Sequence, residues 1–203
     1  VFFRRRRVDT QLFRTIDRDI KERLFMKFEI KELLVLALMT AVMAVLSPIS
    51  IPVGPVPISL GTFAVCLTVA VLGRKMGTIS YLIYLLLGLI GLPVFSNYGA
   101  GLGKLVGPTG GYLFGMLFLS IVGGFGLDHF PGLFVVQYAF FLIGIALCYL
   151  FGTLWLAKVL SLDMAKAVSL GVLPFIIPDC IKVFIALKLG KKLRSAVRLW
   201  KNI

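Results

Sequence analysis

Between Leu33 and Gly73 the chain carries no charged residue, and neither do Leu105–Leu127 or Phe130–Ala157. A helix rises about 1.5 Å per residue, so about 20 consecutive apolar residues reach across the hydrocarbon core of a bilayer. Each stretch meets that length, and the first is long enough to cross twice. Composition agrees: 59% of the residues are hydrophobic and 15% charged, where a soluble domain carries roughly 45–50% and about a quarter. Mean hydropathy is +0.99. Together these exclude most soluble classes and predict an all-α integral membrane protein with little left over for a soluble domain.

The net charge of +13 invites a nucleic-acid reading, which the placement of the charges rejects. The basic residues sit beside apolar spans, where they set topology and meet anionic lipid. Cys66, Cys148 and Cys180 fall inside or next to those spans, and three cysteines without paired spacing do not read as a disulfide framework. The opening Val-Phe-Phe-Arg-Arg-Arg-Arg is followed by no small-residue cleavage site, so no signal peptide is expected. In residues 1–31, Leu12, Ile16, Ile20, Leu24 and Phe28 recur every four positions on an otherwise basic background. That stripe predicts a helix lying on the membrane surface, with a partly disordered tail as the alternative.

Six hydrophobic spans follow, within a membrane domain of residues 32–193 that leads to a basic tail, 194–203. They cover about 33–46, 58–72, 78–95, 108–126, 133–157 and a stretch within 168–189. The first two are separated by Ser47–Pro57, whose four prolines cannot continue a helix. The third and fourth are joined by the glycine-rich Ser96–Gly107. An even number of spans puts both ends on one side. That side collects ten basic residues before Leu33, Arg74 with Lys75, and six from Lys188 onward, against Lys104, Lys158 and Lys166 opposite. Both ends are therefore expected in the cytoplasm, with the proline-rich and glycine-rich loops facing outward.

Lys182 remains, inside the last span, with Asp179 three residues before it. Intramembrane charge costs roughly 2.5–3.5 kcal/mol per residue and usually marks a site, although two charges at this spacing share a helix face and can simply neutralise each other. Pro178 cannot lie smoothly in a helix containing Pro174, so it is placed as the first residue of the last helix, after irregular backbone over Gly171–Ile177. Such backbone at membrane depth is tolerated where protein or a water-filled cavity covers it. Gly107-Pro-Thr-Gly-Gly-Tyr112 repeats the pattern. Pro108 opens a helix. Gly110 and Gly111 let either a ligand or a neighbouring helix approach the backbone, and Tyr112 either stacks on a flat ligand or belongs to an aromatic belt.

Taken together, Pro55–Leu60, Tyr84–Phe95, Gly107–Tyr112 and Pro178-Asp-Cys-Ile-Lys182 resemble the BioY family, the biotin-specific substrate-binding subunits of energy-coupling-factor vitamin transporters. The resemblance covers about Leu33–Leu189. It implies a six-helix subunit that captures biotin on the outer side, without a cofactor, and works with a transmembrane coupling subunit and two ATP-binding subunits. On this resemblance Asp179 and Lys182 contact the biotin ureido ring, and Tyr112, Gly110 and Gly111 line the site. Asn97 and Lys104 on the glycine-rich loop are further contacts, with Lys104 as the cation for the biotin carboxylate. Ala37 and Ala41 on the first helix offer small residues to the coupling subunit. The chain departs from the family pattern in having Gly61 where Gln is usual, Ile177-Pro178-Asp179 where Pro-Gly-Asp is usual, and Leu113 where some members have Arg.

Other classes lack their residues. The single histidine, His129, lies in a loop on the cytoplasmic side, and an aspartyl protease would need a second intramembrane Asp beside Asp179. One His and three scattered Cys supply no metal cluster. Gly99–Lys104 lacks the spacing of a phosphate loop. A substrate-binding subunit for another vitamin, or a solitary transporter working without ATPases, are the remaining alternatives.

Overall fold

The computed structural model describes residues 30–201, with side chains through Val197. Residues 1–29 lie outside the described part, and with them the expected surface helix. The compact body begins at Val35. Its described residues form seven helices, one two-stranded hairpin and one short 3-10 turn.

Helix α1, Ile30–Leu46, buries Val35, Met39 and Met43 at helical spacing. Its Thr40 hydroxyl bonds the Leu36 carbonyl at 2.9 Å and the Ser80 hydroxyl at 2.8 Å. The proline-rich connection is not a plain loop. Ser50–Ile51 (β1) pairs antiparallel with Ile58–Ser59 (β2), Ser50 opposite Ser59. This small hairpin is the one stretch of paired strand among the described helices, formed where proline bars a helix but leaves extended backbone available.

Helix α2, Gly61–Leu89, contains the second and most of the third expected span. At Gly73 the backbone turns to φ 81° and ψ −177°, a conformation open to glycine and costly for other residues. The chain then doubles back. Gly77 lies so close to Val69 that a Cβ would sit 2.9 Å from the Val69 Cα, whereas eight residues along a straight helix are about 12 Å apart. The spans near 58–72 and 78–95 are therefore two arms, shortened to start at Gly61 and end at Leu89. From there the chain passes through Phe95, which bridges to Gly99, the 3-10 turn Ser96–Tyr98 and the short helix α3, Leu102–Val106.

Helices α4, Gly110–His129, and α5, Phe134–Leu160, approach closely because small residues meet at their contacts. A Cβ on Gly115 would lie 2.8 Å from the Cys148 Cα, and one on Gly144 would lie 2.9 Å from the Leu119 Cα. The last expected span is broken in two: α6, Met164–Gly171, and α7, Ile176–Lys201, bent by 43° at the break. Helix α7 begins two residues before Pro178, which sits in its first turn, where a backbone N–H would have no helical partner anyway. The irregular backbone is thus confined to Val172–Phe175, and the boundary expected at residue 194 falls inside α7. By length and apolarity, α2, α4 and α5 can cross a membrane, and a fourth span is added if α6 and α7 are one. Leu38, Leu86, Val135, Ile143, Leu150 and Ile181 are exposed on outer faces, as lipid-facing side chains would be.

Candidate functional site

Asp179 enters the first turn of α7 through its own N–H, which donates to the Phe175 carbonyl at 2.9 Å. Its side chain is buried, and both carboxylate oxygens are engaged. Lys182 Nζ donates to Oδ1 at 2.9 Å, and the Tyr149 hydroxyl of α5 donates to Oδ2 at 2.8 Å. Lys182 also donates to the Ser59 carbonyl of β2 at 2.8 Å. One helix turn, one long helix and the hairpin thus converge on a charge pair that would otherwise be costly in an apolar body. Capacity remains, because the ammonium has three donors, of which two are used. Each carboxylate oxygen keeps a lone pair.

These groups line a cavity of about 50 Å³, with Thr62, Tyr112, Met116 and Phe175 among its walls. A second cavity of about 50 Å³ adjoins it and shares Val56, Pro57, Ser59, Tyr112 and Met116. Tyr112 lines both. Its hydroxyl donates to the Gly171 carbonyl at 3.0 Å, satisfying the end of α6 where the helix breaks. A larger recess of about 590 Å³ lies among Leu127, Asp128, Gly132, Gln137, Lys191 and Arg194. It holds none of the residues singled out in the sequence, and Lys191 on its rim is exposed. The small paired cavities, with buried converging polar groups, are the better site.

Of the sequence-derived residues, Asp179, Lys182 and Tyr112 meet at one cavity. The two glycines do not reach it. A Cβ on Gly110 would collide with the Leu105 carbonyl, and one on Gly111 with Trp155, so the protein itself closely approaches both. Asn97 is exposed and adopts φ 56°. Its side-chain oxygen accepts from the Ser50 hydroxyl at 2.7 Å, and its backbone N–H donates to Ser50 Oγ at 2.9 Å. It is a latch between the glycine-rich loop and the hairpin, outside both cavities. Lys104 lies against Gly99, where a Cβ would be 2.7 Å from its Cε, and lines neither cavity. Ala37 and Ala41 stand one turn apart on an exposed stripe of α1 with Leu38 and Val45. Among the described residues no group of His, Cys, Asp or Glu could hold a metal.

Sequence reasoning missed two members of the site. Tyr149 is one of several aromatic residues in an apolar span, and nothing in its neighbours sets it apart. The Ser59 carbonyl is a backbone group, exposed to Lys182 only because the hairpin forms.

Comparisons with known proteins identify the family. The chain is 39% identical over 165 residues to the biotin transporter BioY of Thermotoga maritima, covering 81% of this chain and 96% of that one. It is 37% identical over 172 residues to the biotin transporter BioY of Rhizobium etli, covering 79% and 91%. Among solved structures, the S-component for biotin from an ECF-type ABC transporter superposes with a TM-score of 0.77 at 32% identity, covering 82% of this chain and 92% of that one. The profile of the BioY family matches residues 20–199, and the chain belongs to that family of multi-pass membrane proteins.

Proposed function

We propose that this protein is the substrate-binding subunit of a biotin uptake system in the cytoplasmic membrane, a transport protein rather than an enzyme. The observation that carries the reading is the buried Asp179 with its half-buried partners Lys182 and Tyr149, facing a small cavity. A ureido ring offers two N–H donors and one carbonyl acceptor. The carboxylate's remaining lone pairs match the N–H groups and the unused ammonium donor matches the carbonyl. Helices α1, α4 and α5, the two arms of α2 and the bent α6–α7 pair support six spans. The Lys/Arg imbalance supports cytoplasmic ends. The hairpin and the glycine-rich loop then face outward, latched at Ser50 and Asn97.

The described residues include no nucleotide-binding loop, so energy comes from separate ATP-binding subunits through a transmembrane coupling subunit. The exposed Ala37–Ala41 stripe of α1 is the face for that coupling subunit, since small residues one turn apart let a partner helix approach. Titrating the purified protein with biotin tests the ligand, and absence of binding rejects it. Replacing Ala37 and Ala41 with leucine is expected to weaken assembly with the coupling subunit while biotin binding is kept; normal assembly of that variant rejects the interface. Uptake of labelled biotin by cells lacking the coupling subunits would instead support the solitary-transporter reading.

A further inference from the structure

The end of the bundle that carries the hairpin and the glycine-rich loop is short of charge. Ser47–Leu60 holds no charged residue, and Ile90–Thr109 holds one, Lys104. Yet Ile51 is 67% exposed, Ile90 75%, Tyr98 70% and Leu102 67%. Other connections of the chain expose charge: Arg74 and Lys75 at the turn of α2, and Lys158, Asp163 and Lys166 around the link from α5 to α6. Single exposed apolar side chains are ordinary. Several on two hydrogen-bonded loops, with almost no charge between them, mark a surface that something apolar covers.

Two further observations say what covers it. Leu82, Leu86 and Ile90 are exposed at four-residue spacing, so the lipid-facing stripe of α2 runs past the helix end at Leu89 without a polar break. The backbone is also prepared for an apolar setting. The four prolines of Ser47–Pro57 have no N–H to satisfy. In the glycine-rich loop and its approach, Leu92, Val94, Phe95, Asn97, Gly99 and Gly101 each donate a backbone N–H to a carbonyl of the protein. A loop in water can leave such donors to the solvent, whereas lipid requires them to be met internally.

We propose that this end of the protein is set into the bilayer interface, with the hairpin and the glycine-rich loop resting among the glycerol and upper acyl layer of the leaflet rather than in water. The partner is phospholipid, met by Ile51, Ile90, Tyr98 and Leu102. Tyr98 suits that depth, because its ring is apolar and its hydroxyl reaches the headgroups. Lys104, on the same short helix as Leu102, fits as well: a lysine lays its stem along apolar surface and puts its ammonium at the phosphates. The inference rests on the membrane class of the chain and not on the identity of its ligand.

Nitroxide labels on single introduced cysteines test this in the full chain reconstituted into phosphatidylcholine–phosphatidylglycerol vesicles. Cys66 and Cys148 are buried, and Cys180→Ser removes the half-buried thiol. Labels at Ile51→Cys, Tyr98→Cys and Leu102→Cys are compared with Leu150→Cys on the exposed face of α5 and Lys192→Cys on the basic end of α7. Oxygen concentrates in lipid and a nickel chelate stays in water, so the ratio of their collision rates reads the surroundings of each label. At the loop positions that ratio should stand severalfold above the Lys192 value and approach the Leu150 value. A ratio like that of Lys192 would put the loops in water and overturn the inference. Low collision with both reagents, together with spin–spin broadening between molecules, would overturn it in favour of a second copy of the chain on this face. A Leu150 label that itself reads as wet would overturn the membrane reading and the inference with it. Val53→Cys and Val106→Cys, also exposed, replace any labelled variant that is not monodisperse, so a single misfolded protein does not decide the outcome.

Discussion

Two helix starts carry the residues that stand out in this chain, and they are built for different ends. At the start of α7, Asp179 and Lys182 face a cavity and bond each other, Tyr149 and the Ser59 carbonyl. At the start of α4, Gly110 and Gly111 are filled by Leu105 and Trp155, and only Tyr112 of that motif reaches the cavity. A charge inside an apolar helix has to be met by specific partners, so its position states what chemistry happens nearby. A glycine states only that something comes close, and here that something is the protein itself.

Mutation should separate the two regions, and the largest effect belongs to the charged one. Lys182→Met leaves Asp179 buried beside a lone tyrosine hydroxyl. Removing one partner of a buried pair costs about 3–5 kcal/mol of stability, and the lost bond to the ureido carbonyl should weaken biotin binding about tenfold to a hundredfold. Asp179→Asn should behave alike, since it replaces a pure acceptor with a group that also donates. The double variant Asp179→Asn/Lys182→Met should recover stability yet still bind poorly. Calorimetric titration with thermal unfolding checks all three, and a stable double variant with parental affinity would reduce the pair to a structural one.

Gly111→Leu comes next. Its side chain would force α4 away from Trp155, and overpacking of this kind costs about 1–3 kcal/mol. The unfolding temperature should fall while the affinity of the folded fraction stays within about threefold. A hundredfold loss of affinity with stability intact would instead put the glycine at the ligand. The smallest effect is expected from Asn97→Ala, which removes the side-chain bond to Ser50 between the glycine-rich loop and the hairpin. A neutral, exposed hydrogen bond contributes about 0.5–1.5 kcal/mol, so biotin should dissociate about threefold to tenfold faster, read by stopped-flow. An unchanged dissociation rate would mean the latch does not hold the loops over the site.

Lipid demands long charge-free helices, so the helical membrane class was legible in the sequence, and Asp179 and Lys182 stood out against it for the same reason. The hairpin was not legible, because its strands are two residues each and its register depends on packing rather than pattern. Nor was the reversal of α2 at Gly73, which needed the backbone angles. The loop residues Asn97 and Lys104 were expected at the ligand, and the structure spends one on Ser50 and packs the other on Gly99.

Trp155 has a use beyond holding α4 and α5 together. Its indole Nε1 donates to the Gly107 carbonyl at 2.9 Å, where the glycine-rich loop ends. The chain has two tryptophans, Trp155 and Trp200, so a Trp200→Phe protein carries a single fluorophore hydrogen-bonded to the root of that loop. Indole emission shifts with the polarity and hydrogen bonding around the ring. Any rearrangement at the root of that loop is therefore written into the protein's own light, and its rate can be followed without attaching a dye.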